Sequence, residues 1–171
     1  MVQSRGLGDV YKRQAFINCS TVIHAGATVG FNRETPQEVY DGCFTENEHV
    51  VESVIKSDSI KRLVFTSSFA AVAHPRPEGY VFDEKDWCGD NVEAYKGAWS
   101  TDNISKNRDI AYAMAKANTE KYIYEVAEKD GNFEAVSIYP LEVFGPLLSE
   151  NHNQFFSWQF FSLHLVKGVN F

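Results

Sequence analysis

Short apolar runs rich in β-branched residues alternate with long amphipathic segments in this chain, and this alternation limits its possible folds more than any other feature. Residues 21–23 and 63–65, TVI and LVF, are typical of buried strands. Between them, behind Pro36, apolar side chains recur at helical spacing as far as residue 55. This spacing predicts an amphipathic helix of about five turns. Residues 69–103 show no period, and a loop of that length inside a domain usually carries function.

The second half of the chain continues the same order. Residues 107–129 are rich in Ala, Glu and Lys and predict a second helix, with Asn107 or Asp109 as its N-cap and Gly131 as its terminator. Residues 133–139 predict a third strand. Strands that alternate with helices form a parallel sheet through right-handed crossovers. We therefore expect an α/β fold with a doubly wound parallel sheet.

Composition and charge exclude several classes of protein. Lys and Arg number 16 against 23 Asp and Glu, and the net charge of −7 disfavours nucleic acid as a partner. The cysteines Cys19, Cys43 and Cys88 form no CxxC pair and have no His at ligand spacing. We therefore expect no metal site and a reducing compartment, the cytoplasm. No window approaches the uninterrupted apolar length of a membrane span, so no membrane partner is expected.

We expect the first fourteen residues to differ in origin from the rest. Residues 4–14, SRGLGDVYKRQ, resemble an in-frame translation of a transposon-type sequencing adapter. The alternative is a natural basic N-terminal arm. We exclude residues 1–14 from the fold as not native, and we do not interpret Gly6 and Gly8 as a phosphate-binding loop. The natural sequence is then expected to begin near Ala15, within a longer gene.

Ligands of parallel sheets lie beyond the carboxyl ends of the strands. Those ends are HAGA at 24–27, TSS at 66–68 and YPLEVFGP at 139–146. In the second predicted helix, Tyr112 and Lys116 stand four residues apart in YAMAK, so both side chains leave the same face. A YxxxK pair alone is a weak motif, and its ordinary alternative is a Tyr at the core edge with a solvent-facing Lys.

Four motifs in a fixed order are far more specific than one. They are VIHAGA at 22–27, KRLVFTSS at 61–68, YAMAK at 112–116 and PLEVFGP at 140–146. In this order the chain, from about residue 15 to 148, resembles the extended short-chain dehydrogenase/reductase family, also called NAD-dependent epimerase/dehydratase.

The resemblance implies a Rossmann-like sheet truncated at both ends. Residues 15–148 would be the C-terminal half of the NAD(P)-binding domain, and residues 149–171 the start of the substrate-binding lobe. Roughly 60 to 70 residues, including the glycine-rich turn, are then missing from the front. The residue that distinguishes NAD from NADP lies in that missing segment, although the resemblance favours NADP. We expect the 171-residue chain itself to bind no cofactor tightly.

The resemblance also implies three catalytic residues. Tyr112 would be the general acid that protonates a substrate carbonyl oxygen. Lys116, with the positive charge of the oxidised nicotinamide, would lower the pKa of that phenol and bind the nicotinamide ribose. Ser68 would stabilise the developing alkoxide, and Ser67 is the less favoured choice for this serine. The residues implied to bind cofactor are Ala25, Gly26, Ala27, Ser67, Tyr112, Lys116, Pro140, Leu141 and Val143. For residues 25–27, tight helix–sheet packing is an equally weighted alternative.

The sequence around the serine indicates a branch of the family. Val72, Ala73 and His74, with DEKDW at 83–87, resemble the dihydroflavonol reductase and cinnamoyl-CoA reductase branch, which reduces aldehydes and ketones with a nicotinamide dinucleotide. The implied partner is a small carbonyl substrate, and a homodimer is left open. Two alternatives remain: an epimerase or dehydratase of nucleotide sugars, and a dinucleotide sensor without catalysis. His24, like His74, is expected to be an ordinary structural histidine.

One helix departs from the family pattern. Asp41, Phe44 and Thr45 stand where many relatives carry Asn-x-x-Gly-Thr. We therefore expect no role in the active site for the helix that follows Pro36.

Overall fold

A computed structural model describes residues 15–27, 35–73, 76–89, 101–141 and 143. Its strands are β1 (Thr21–His24), β2 (Arg62–Thr66) and β3 (Glu134–Ile138), its helices are α1 (Pro36–Ile55) and α2 (Arg108–Asp130), and short 3₁₀ turns form at Phe69–Ala71 and Thr101–Lys106. No helix among the described residues is long and apolar enough to cross a membrane.

The chain divides into two compact units, Met1–Tyr139 and Pro140–Phe171. In the second unit the structure describes residues 140, 141 and 143. The segments interpreted above as adapter-derived and as the start of a substrate lobe, residues 1–14 and 149–171, lie outside the described residues.

The three strands form one parallel sheet in the order β1-β2-β3. Val64 in β2 pairs with Ile23 in β1 on one side and with Val136 in β3 on the other. Each connection between parallel neighbours is a helical crossover, as the alternation of strands and helices predicts. The sheet and its crossovers are thereby confirmed, and β2 is central among the described strands.

The core lies between the sheet and the two helices, which pack against each other. Leu63 and Phe65 of β2 are buried, at 1% and 0% exposure. They contact Val51 and Val54 of α1 and Ile123 of α2. Side chains of a strand alternate between its faces, so the helices cover the face that carries Leu63 and Phe65.

The opposite face of the sheet corrects one expectation. Ile23 is 71% exposed, although its segment was interpreted as a buried strand. Val136 and Ile138 of β3, on the same face, are 44% and 49% exposed. The physical reason is that both described helices lie on one side of the sheet. An apolar run predicts a strand that can be buried on both faces, but it does not supply the second covering layer.

Helix α1 begins with a capping box. The Thr35 hydroxyl accepts a hydrogen bond from the Glu38 backbone N–H at 3.2 Å, and the Glu38 carboxylate accepts one from the Thr35 N–H at 3.0 Å. Pro36 occupies the first helical turn, where its missing N–H costs nothing. Two of the backbone donors that a helix start leaves without partners are satisfied in this way.

Both ends of helix α2 are capped by residues that the sequence predicted. Asn107, rather than the alternative Asp109, is the N-cap, and its side chain accepts from the Asp109 N–H at 2.6 Å. Gly131 ends the helix at φ 68°, in the left-handed region. Glycine adopts that conformation without a β-carbon clash, which is why it terminates helices so often.

We predict that Thr35→Ala lowers the free energy of unfolding by about 1 kcal/mol, because it removes the hydroxyl that caps α1. Thr45→Ala is the matched control, since Thr45 is exposed inside the same helix and alanine has the higher helix propensity. Urea denaturation followed by circular dichroism measures both variants. An unchanged midpoint for Thr35→Ala would contradict the stabilising role of the cap.

Candidate active site

One face of α2 carries three polar side chains at a spacing of four residues: Tyr112, Lys116 and Glu120. This spacing places them one above another along the helix. Lys116 and Glu120 are buried, at 1% and 0% exposure, and Tyr112 is half-buried. A buried cation and a buried anion one turn apart are unusual in a helix, because both charges must be compensated within the protein.

That compensation comes from consecutive residues at the carboxyl end of β2. The Lys116 ammonium donates to the carbonyl oxygen of Thr66 at 3.0 Å. Ser67 Oγ donates to Glu120 Oε2 at 2.7 Å. The hydroxyl of Ser68 lies near the Tyr112 phenol and acts to lower its pKa. The structure therefore brings Ser68, Tyr112 and Lys116 together, where the order of the motifs led us to expect them.

The local backbone determines how the Ser68 hydroxyl is used. Ser68 is the N-cap of the 3₁₀ turn Phe69–Ala71, and its Oγ accepts from the Ala70 N–H at 3.2 Å. A serine hydroxyl has a single proton to donate. Because the backbone donor occupies the oxygen, that proton is available to Tyr112 or to a ligand oxygen beside it.

Lys116 lies beneath the phenol of Tyr112. Its Nζ is 5.9 Å from the centroid of the Tyr112 ring and 4.9 Å from that of Phe65. Burial lowers the pKa of Lys116, while Cys43 and Glu120, followed by Glu46, act in the opposite direction. Lys116 is thus a buried cation beside the ring of Tyr112, although burial, Ser68 and Cys43 are what shift the pKa of Tyr112.

The pKa of Tyr112 differs from the sequence-based expectation. Within this chain burial raises it, the hydrogen bond from Ser68 acts to lower it, and Cys43 raises it further. Desolvation of the phenolate is the largest of these effects. Tyr112 is therefore a protonated phenol at neutral pH, the state that a general acid requires.

Helix α1 also contributes to this region, which the sequence analysis did not expect. Cys43 is fully buried, and burial raises the pKa of its thiol to about 11 despite the opposing charge of Lys116. It is a neutral thiol at pH 7 that packs near Lys116 and Tyr112. The signal available in the sequence was its place on the apolar face of α1, four residues after Val39.

The end of β1 is small and accessible. Ala25 and Gly26 are exposed, and Ala27 is partly so. A β-carbon at Gly26 would lie 3.2 Å from Cε1 of His24, so this glycine relieves a contact within the turn itself. The backbone here is exposed and carries only small side chains, which permit a close approach by a ligand; a cofactor role for Ala25, Gly26 and Ala27 remains a prediction.

The remaining predicted cofactor residues have different surroundings. The Ser67 side chain is buried and donates to Glu120. Leu141 and Val143 are 70% and 69% exposed, and with Pro140 they belong to the second unit. A cofactor role for these residues remains a prediction. Of the two histidines, His24 stacks on Phe65 at 6.2 Å between ring centroids, and His74 lies outside the described residues.

Three residues of this region were given no site role by the sequence analysis: Glu120, Trp87 and Tyr139. The Glu120 carboxylate accepts from the Trp87 indole N–H at 3.0 Å and from the Tyr139 hydroxyl. Glu120 continues the four-residue spacing of Tyr112 and Lys116, which was a usable signal. Trp87 in DEKDW and Tyr139 at the end of the third predicted strand were noted, but their contact with Glu120 had no signal, because it joins distant parts of the sequence.

The chain is similar to known proteins in sequence and in fold. No family model matches the chain. It is 32% identical to a cinnamoyl-CoA reductase of Medicago truncatula over 135 residues, which are 76% of this chain and 37% of that enzyme. A yeast methylglyoxal/isovaleraldehyde reductase complexed with NADPH has a TM-score of 0.70 at 21% identity, over 85% of this chain and 43% of that one.

The chain belongs to the extended short-chain dehydrogenase/reductase family. The chain also shares its Rossmann fold with a UDP-glucose 4-epimerase of Thermus thermophilus in complex with NAD. The TM-score is 0.62 at 18% identity, over 99% of this chain and 49% of that one. This short-chain dehydrogenase/reductase chain spans less than half the length of these relatives.

We predict that Ser68→Ala raises the pKa of Tyr112 further, because the hydroxyl of Ser68 stabilises the phenolate. NMR of chains labelled at tyrosine Cζ measures this titration, and the Tyr112 resonance is assigned with Tyr112→Phe. Ser59→Ala serves as the control, since Ser59 is exposed and bonds to Phe16. A Tyr112 pKa that is unchanged or lowered in Ser68→Ala would contradict the interaction.

Proposed function

We propose that this chain is part of an NAD(P)H-dependent reductase that converts aldehydes or ketones to alcohols. The observation that supports the proposal best is the cluster of Ser68, Tyr112 and Lys116 at the carboxyl end of β2, where ligands of such sheets bind. The similarity to a cinnamoyl-CoA reductase and to a methylglyoxal/isovaleraldehyde reductase supports a carbonyl compound as the substrate class.

The residues present fit a nicotinamide dinucleotide. The exposed turn at Ala25 and Gly26 leaves room beside the backbone, and Lys116 supplies a cation for the ribose hydroxyls. When bound, the reduced cofactor supplies a hydride to the carbonyl carbon. NADP rather than NAD is part of the proposal, since the reductase among the structural neighbours was solved with NADPH.

Residues of the chain itself protonate and hydrogen-bond the carbonyl oxygen of the substrate. As the carbonyl electron pair moves to oxygen, Tyr112 gives that oxygen its phenolic proton, and Ser68 donates a hydrogen bond to it. The Lys116 ammonium, beneath the ring of Tyr112, stabilises the phenolate that remains. Preorganised donors of this kind are effective because they need no rearrangement when charge develops.

The protonation state of Tyr112 favours reduction over the alternative on the same scaffold. An epimerase or dehydratase would use this tyrosine as a base, which requires the phenolate. Burial raises the pKa of Tyr112 and so favours the phenol. A binding module without chemistry would need no general acid, so the presence of Tyr112 together with Ser68 and Lys116 counts against that alternative.

The proposal also includes the cellular compartment and the oligomeric state of the enzyme. The free cysteines Cys19, Cys43 and Cys88 fit a reducing compartment, and we propose the cytoplasm. A homodimer is the alternative to a monomer, and light scattering during gel filtration of the complete enzyme distinguishes them.

We predict that the complete enzyme that contains this chain oxidises NADPH in the presence of aldehydes and leaves nucleotide sugars unchanged. Tyr112→Phe should lower kcat roughly 100- to 10,000-fold, the usual contribution of a general acid. NADPH absorbance at 340 nm measures the reduction, and chromatography of nucleotide sugars measures epimerisation.

Tyr122→Phe is the matched control, because Tyr122 lies on the same helix and packs near Phe44, away from Lys116. Its kcat should equal that of the wild type. Turnover of nucleotide sugars but of no aldehyde or ketone would assign the enzyme to the epimerase class instead.

A further inference from the structure

The Glu120 carboxylate joins three separate parts of the chain. It accepts from Ser67 at the end of β2, from Trp87 in the loop that follows, and from Tyr139 directly after β3. The Ser67 bond goes to Oε2, and the other two go to Oε1. Glu120 itself is fully buried, so its carboxylate depends on these protein donors rather than on solvent.

A fully buried carboxyl group in this position needs a reason. Burial of a carboxylate costs several kcal/mol unless donors replace its water, and an apolar residue of similar size often serves stability as well or better. Charge-assisted hydrogen bonds are directional and hold their donors in one geometry. The contribution that an apolar side chain could not make is therefore the orientation of Ser67, Trp87 and Tyr139.

Ser67 is the most informative of these donors. It lies between Thr66, which accepts from Lys116, and Ser68, which interacts with Tyr112. A residue held on both sides has little freedom to move. Because Ser67 is bonded to Glu120, the whole segment from Thr66 to Ser68 is attached to one face of α2.

Trp87 adds a second attachment to the same region. The backbone N–H of Cys88 donates to the carbonyl oxygen of Ala71 at 2.7 Å, while the indole of Trp87 donates to Glu120. The loop after β2 is thus tied both to the 3₁₀ turn that Ser68 caps and to α2. Loss of the Glu120 carboxylate would remove the hydrogen bonds that hold Ser67 and Trp87 to α2.

We propose that Glu120 is a positioning residue, which holds Ser67 and thereby orients Ser68 against Tyr112. This inference rests on the proposed reductase function for its effect on turnover, but the geometry can be tested without turnover. Misplacement of a catalytic group by about 1 Å can lower a rate roughly 100-fold, so the orientation of Ser68 is a sufficient reason to retain a buried carboxylate.

Two substitutions separate hydrogen bonding from charge. Glu120→Gln and Glu120→Leu both remove the negative charge. Glutamine keeps an oxygen that accepts from Trp87 and Tyr139, and its amide can donate to the hydroxyl of Ser67, whereas leucine keeps none of these bonds. Any difference between the two variants therefore reports the hydrogen bonds.

We predict that Glu120→Leu in the complete enzyme has a kcat roughly 10- to 100-fold below that of Glu120→Gln, with KM for the aldehyde and for NADPH little changed. Glu125→Leu is the control, since Glu125 is exposed on the same helix and pairs with Lys129. Equal kcat values for Glu120→Leu and Glu120→Gln, in proteins that both fold, would overturn the inference.

The titration of Tyr112 provides a readout that does not depend on turnover. Tyr112 is faced by Ser68 from the end of β2, by Cys43 from α1 and by Lys116 from its own helix. If Glu120→Leu misplaces Ser68, the pKa of Tyr112 should be higher in Glu120→Leu than in Glu120→Gln, and the difference should vanish when both carry Ser68→Ala. Equal pKa values in the two single variants contradict the inference.

If Glu120→Leu does not fold, Ser67→Ala decides the question. It removes the bond from Ser67 to Glu120, and it should raise the pKa of Tyr112 because Ser68 is then misplaced; an unaltered Tyr112 pKa overturns the inference. A wild-type enzyme that reduces no carbonyl compound would refute the proposed function alone, because the Tyr112 titration still tests the role of Glu120.

Discussion

The contact between α2 and the carboxyl end of β2 is the interaction on which the candidate site depends. Lys116 and Glu120 each bond one of the consecutive residues Thr66 and Ser67, and Tyr112 lies near the next, Ser68, which acts on its pKa. Hydrophobic packing of α2 on the sheet brings these elements together but permits small shifts along the helix. The polar contacts select one register, so they define the site as well as the packing.

Much of the fold follows from local patterns in the sequence. The strands, both helices and the caps at Asn107 and Gly131 are encoded within a few residues of where they form. The capping box of α1 was equally readable, since Thr35 and Glu38 stand at the required spacing. The exposed apolar face that includes Ile23 was not predictable, because burial depends on which layers cover a strand and not on the strand itself.

The candidate site divides in a similar way. The placement of Tyr112 and Lys116 follows from helical spacing and from the position of α2 after β2. The contribution of Cys43 from α1 and the bonds of Trp87 and Tyr139 to Glu120 arise only when distant segments meet. A single sequence contains no local signal for such contacts, and the resemblance to a family covered only residues that carry its motifs.

Selection for stability and selection for activity favour different side chains at position 116, where the ammonium of Lys116 is buried. Desolvation makes that charge a net burden on folding, as its lowered pKa indicates. A laboratory screen for heat resistance alone would favour an apolar side chain such as methionine at this position, and the variants it enriched would be robust but without chemistry. At position 116, therefore, heat resistance of the fold and chemistry at the site require different side chains.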